Sequence, residues 1–150
     1  MLIATLYSST LVATTIAIHA CGTAWWVSHL QRLRERTAEQ VSFARLLDVL
    51  LRTAFVLLGL HLVEMAIWAL AYHLLPITEI SSFEEAVYFS VVTFTTVGYG
   101  DVTLTAPWRT LAGVEALSGI LVLGWSTALS FAVLQTLLHG NTPTHSSGPP

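Results

Sequence analysis

The 150-residue sequence contains no lysine, and its six basic residues are all arginine. With a formal charge of −3 and so few cations, no surface can be basic enough to follow a nucleic-acid backbone. A single cysteine, Cys21, excludes an intrachain disulfide. Charged residues make up 10% of the chain against 54% hydrophobic, and the mean hydropathy is +0.69. A soluble domain needs more polar surface than that, so the composition points to a membrane. No nucleophile-base pair or metal-ligand set stands out, and His61-x-x-Glu64 lacks the second histidine of the zinc-protease motif. The chain therefore does not read as an enzyme. Internal repeats are also missing.

What is abundant is long apolar sequence. Three runs, about 2–27, 46–75 and 108–138, each exceed the roughly 20 helical residues needed to cross a hydrocarbon core. Trp25, Trp26, Tyr72 and Trp108 lie near their ends, as interfacial anchors do. The residues before Cys21 loosely resemble a lipoprotein cleavage box, but no basic stretch precedes them and the apolar run continues to Trp26. The first helix, assigned to 1–30, is expected to stay in the mature chain.

Five of the six arginines, Arg32, Arg34, Arg36, Arg45 and Arg52, cluster in the connector 31–45 and the helix start beyond it. By the positive-inside bias this connector is cytoplasmic, placing the N-terminus outside and the C-terminus inside a plasma membrane. Residues 139–150, rich in Gly, Pro and Ser, have nothing to bury and read as a disordered tail. Glu79, Glu84, Glu85 and Asp101 then form an acidic outer face.

The segment between the second and third runs is too apolar for an aqueous loop and too interrupted for a spanning helix. Ser81 and Ser82 each precede a glutamate by three residues, the capping-box spacing, so a short helix is expected over 83–95, about 20 Å long. Such a helix reaches partway into a bilayer and stops. Irregular backbone at that depth survives only when buried in protein or lining a water-filled path. A pore that strips water from a cation must supply replacement oxygens, and backbone carbonyls serve if successive residues aim them to one side. Alternating left- and right-handed dihedrals achieve this, with Gly98 and Gly100 able to take positive φ. Thr96 adds a hydroxyl at the inner end.

Thr95-Thr96-Val97-Gly98-Tyr99-Gly100-Asp101 resembles the selectivity filter of the potassium channel superfamily. The resemblance covers 46–138, as outer helix 46–75, pore helix 83–95, filter 96–100 and inner helix 108–138. It implies an all-α membrane protein of three transmembrane helices plus a re-entrant pore helix. It also implies a homotetramer, with K⁺ held by the carbonyls of Thr96, Val97, Gly98 and Tyr99, by the Thr96 hydroxyl, and within a loop that Gly100 completes. No cofactor beyond the permeant ion is implied, and the partners would be K⁺, lipid and further copies of the chain. A regulatory or non-conducting subunit is the alternative; a potassium transporter subunit fits less well, because those usually carry several degenerate filters.

Gly119 and Gly124 repeat the two inner-helix glycines of minimal bacterial channels, and Gly119 is either a gating hinge or a close-packing position. Ile120, Leu123, Thr127 and Phe131 share a face and are expected to line the cavity and inner mouth. Phe131 is either a hydrophobic constriction or a packing residue. Val92 stands where the best-known minimal channel has a glutamate bonded to the filter aspartate, so Tyr88 is the expected partner of Asp101, with Thr95 also supporting the filter. On the first helix Ser8, Thr15, His19, Gly22 and Trp26 recur at near-heptad intervals, as a small and polar face packed on the second. That helix carries no arginine repeat of the voltage-sensor kind. His61 and Glu64, one turn apart inside the second span, form either a structural knot closed by His19 or Glu115, or a proton-sensing element. Glu115 is expected to brace the pore-helix backbone.

Overall fold

The computed structural model describes residues 2–35 and 42–139. Among them four α-helices occur and no strand: α1 (Leu2–Glu35), α2 (Phe43–Leu74), α3 (Phe83–Phe94) and α4 (Arg109–His139). The all-helical class expected from hydropathy is the one observed. Positions 36–41 of the arginine-rich connector and 140–150 of the expected disordered tail lie outside the described residues.

Helix α1 runs past its expected end because Leu30, Gln31, Arg32, Leu33, Arg34 and Glu35 are all good helix formers with no glycine or proline among them. Helix α2 starts at an extended Ser42, whose hydroxyl accepts from the Arg45 N–H at 3.3 Å. It stops before Pro76, after the Leu75 N–H has bonded to the Ala71 carbonyl at 3.0 Å. For α3 the cap is Ser82, whose hydroxyl accepts from the Glu85 N–H at 3.1 Å. Its reciprocal half is displaced by one residue: Glu85 accepts from the N–H and hydroxyl of Ser81, at 2.7 and 2.8 Å.

Three spans, Ala4–Leu33, Phe43–Leu74 and Arg109–Leu138, are long and apolar enough to cross a membrane. Their hydroxyls avoid exposure to hydrocarbon by bonding one turn back. Ser8 donates to the Ala4 carbonyl, Thr23 to His19, Thr53 to Val49 and Ser130 to Ser126, each at 2.7 or 2.8 Å. Helix α1 packs on α2 and α4, and the short α3 is wedged between α2 and α4. The largest core cluster lies at that wedge, with Trp68, Tyr72, Phe94 and Leu111 wholly buried. In lipid, close packing and polar contacts between helices, rather than water exclusion, hold such a junction together. Two indole N–H groups stitch α1 to α2, Trp26 to Thr53 and Trp68 to Thr15, each at 3.0 Å. Gly22 lies against Leu60 of α2, whose side chain a Cβ there would overlap.

Candidate pore site

The end of α3 and the five residues beyond it form an irregular segment tied back to the helix. The Thr95 N–H bonds to the Val91 carbonyl at 3.1 Å, Thr96 to Thr93 at 2.9 Å and Gly98 to Val92 at 3.2 Å. The Thr95 hydroxyl donates to Val91 at 2.6 Å. Every second residue is left-handed: φ is +62° at Thr96, +54° at Gly98 and +80° at Gly100. Sequence reasoning anticipates the two glycines. It misses Thr96, a β-branched residue for which positive φ is an outlier, costing on the order of 1–3 kcal/mol. No residue-level signal could have marked it, because the demand comes from the regularity of the loop. All five residues of 96–100 are exposed on the single chain.

Beyond the loop, the Tyr88 hydroxyl donates to Asp101 Oδ2 at 2.6 Å, and that bond holds the Asp101 carboxyl below its ordinary range. Glu79 accepts from the Thr105 N–H at 2.9 Å and from the Thr105 hydroxyl, joining the loop before α3 to the one after the filter. The Thr105 hydroxyl is the main cause holding Glu79 low, and the Ser81 N–H does the same for Glu85. Glu79, Glu85 and Asp101 therefore keep their negative charge into acid.

Behind α3, Ser90 lies 2.9 Å from the Met65 carbonyl oxygen and 2.6 Å from Glu115 Oε1, while Tyr72 donates to Glu115 Oε2 at 2.7 Å. Glu115 thus meets the pore helix through the Ser90 side chain, a correction to the expected backbone brace. Gly119 is buried, and a Cβ there would overlap the Phe94 carbonyl oxygen at the end of α3. Close packing of α4 on the pore helix accounts for Gly119, whereas Gly124 has open space around it. On α4, Ile120, Thr127 and Phe131 are exposed and Leu123 is half-buried, while Val122, Ser126 and Val133 turn into the chain. His61 and Glu64 are brought together with His19, not with Glu115. The heptad face on α1 was legible; that its histidine meets α2 and α4 at one point was not.

A short helix ending in a loop of alternating left-handed residues thus lies between two long apolar helices. Residues 60–136, slightly more than half of the chain, match the ion channel family, and the chain belongs to it. The chain is 39% identical over 79 residues to the inward rectifier potassium channel Kirbac3.1 of Paramagnetospirillum magnetotacticum, a match covering 49% of this chain and 27% of that protein. The chain thus spans about a quarter of that relative's length. No solved structure matches it.

Proposed function

We propose that the chain is a potassium-selective pore subunit, four copies of which surround a common axis. The carbonyls of Thr96, Val97, Gly98 and Tyr99, with the Thr96 hydroxyl, replace the water around K⁺ as it passes. The observation that carries this reading is the alternation of left-handed φ at Thr96, Gly98 and Gly100, directly after a half-spanning helix. Ordinary extended backbone points successive carbonyls to opposite sides, and a left-handed residue at every second place turns them to one. Similarity to a protein named as a potassium channel supports the choice of ion.

A single filter strand cannot enclose a cation, and Val97 and Tyr99 are 53% and 73% exposed on the lone chain. Three further copies supply the missing walls. The carboxyl end of α3, with its partial negative charge, faces the cavity and favours a cation there. Ile120, Leu123, Thr127 and Phe131 line the cavity and inner mouth, with Phe131 as the constriction. The arginine-bearing connector lies on the cytoplasmic side of a plasma membrane, with the N-terminus outside. The only cofactor is the permeant ion. Liposomes containing this chain alone test the reading: K⁺ efflux down its gradient is expected, and absence of flux from a folded, inserted protein would identify a non-conducting subunit instead.

A further inference from the structure

His19 of α1, His61 and Glu64 of α2, and Ser126 of α4 close a ring inside the membrane-spanning part of the chain. His19 Nδ1 lies 2.9 Å from Glu64 Oε1, and His61 Nδ1 lies 3.1 Å from Glu64 Oε2. The opposite nitrogens converge on one hydroxyl, with Ser126 Oγ 3.3 Å from His19 Nε2 and 3.0 Å from His61 Nε2. The two imidazoles are nearly parallel, 18° apart with centroids 5.4 Å apart. His19 and Glu64 are fully buried and His61 is 8% exposed. Trp125 of α4 packs edge-on against His19, and Phe94 of α3 packs against His61; neither titrates.

Counting hydrogens decides what the ring holds. Four contacts need four hydrogens, one in each. Ser126 brings one, two neutral imidazoles bring one apiece, and an ionised carboxylate brings none. One contact would then set two lone pairs against each other, a costly arrangement where no water can intervene. A single additional proton fills the gap wherever it sits, on the carboxyl or on either imidazole, and it cancels the charge of Glu64 in an apolar surrounding. A second would leave the ring with a net positive charge in that apolar surrounding. A divalent metal fits less well. Ligands at about 2.0–2.1 Å on a tetrahedral ion sit about 3.3 Å apart, wider than the observed 2.9 and 3.1 Å, and the site would be left positively charged.

We propose that the His19–Glu64–His61–Ser126 ring binds one proton per chain within the membrane, and that its occupancy sets how firmly α4 is held to α1 and α2. Ser126 is two residues beyond Gly124 and is the only member of the ring on α4, so losing the proton weakens the hold on that helix. The consequence for conduction rests on the channel reading above, in which α4 lines the inner pore. Glu64→Gln makes the idea testable. A glutamine accepts from one imidazole through its oxygen and donates to the other through its amide, so it supplies the fourth hydrogen permanently and mimics the proton-bound ring.

The experiment measures K⁺ flux through the full-length protein in liposomes from about pH 6 to about pH 9, a range bracketing histidine titration. Wild type is expected to change flux by about threefold or more, in the manner of one proton per chain. Glu64→Gln flattens this response, Ser126→Ala flattens it by cutting the link to α4, and Glu115→Gln, at the other buried carboxyl, leaves it in place. A full response in Glu64→Gln, or its loss in Glu115→Gln, would overturn the proposal. Thermal unfolding of the solubilised protein over the same range gives a readout independent of conduction. If the ring holds a proton, the difference in melting temperature between wild type and Glu64→Gln varies with pH over this range; a difference that stays constant would overturn the proposal. If wild type carries no K⁺ at all, the channel reading fails while the melting series still judges the ring. Stoichiometric Zn²⁺ binding that raises the melting temperature of wild type but not of Glu64→Gln would identify a metal site and refute the proton site.

Discussion

Glu64 and Glu115 are both fully buried between helices, yet their surroundings differ in kind. Glu115 meets a phenol and an alcohol, Tyr72 and Ser90, neither of which takes up a proton near neutral pH. A proton in that cluster has one seat, the carboxyl itself. The cluster fastens α4 to α2 and to α3. Glu64 meets two imidazoles, so the proton proposed for that cluster has three seats. A buried carboxyl can thus be held by partners that only donate to it or by partners that can also take up its proton.

The largest expected effect comes from removing the brace. Glu115→Ala leaves the Tyr72 hydroxyl without its acceptor and opens a cavity behind α3, at a cost of about 4 kcal/mol. Thermal unfolding in detergent should show a markedly lowered melting temperature at neutral pH. Gly119→Ala comes next, at about 1–3 kcal/mol, because the added methyl meets the backbone oxygen of Phe94 and the pore helix must move. Gly22→Ala meets only the end of the flexible Leu60 side chain, which can rotate away, so the same measurement should show a loss below about 1 kcal/mol. Equal losses at the two glycines would show that α4 does not press on the pore helix.

Tyr88→Phe should leave the fold intact and alter only the filter, shortening the time K⁺ current persists during sustained opening. The pH dependence follows from the sign of the Asp101 shift. Its carboxyl is lowered from 3.8 in the folded chain, so the bond to Tyr88 is complete at neutral pH and is lost only as pH falls below that value. Wild-type current lifetime should therefore carry no Asp101 titration between about pH 5 and pH 9, and the Tyr88→Phe defect should be constant across that range. A defect that appears only at the acid end would contradict the bond.

The helices were legible because their signals are local. Long apolar runs mark spans, Ser82 with Glu85 marks the start of α3, and Pro76 marks the stop after α2. The bonding of Glu85 to Ser81 was not, since Ser81 stands four residues before it and the three-residue spacing of a capping box pairs Glu85 with Ser82. Gly98 and Gly100 announced an unusual backbone, while the positive φ of Thr96 is imposed by the loop on a residue with no preference for it. The pairing of His61 with Glu64 followed from one helical turn. The choice between His19 and Glu115 as the third member depended on how α1 and α4 cross α2, which hydropathy does not specify. Ser126 escaped notice altogether, because a lone serine in an apolar helix carries no mark until two histidines meet it.

The central claim is that residues 96–100 select potassium. Bi-ionic reversal potentials, with K⁺ on one side of a planar bilayer and Na⁺ on the other, test it most directly in the reconstituted full chain. A reversal potential displaced strongly toward K⁺ selectivity is expected, about 59 mV for each tenfold preference, and it should collapse toward zero in Gly98→Ala, where an alanine would be held at positive φ. A reversal potential near zero in the wild-type protein would contradict the claim.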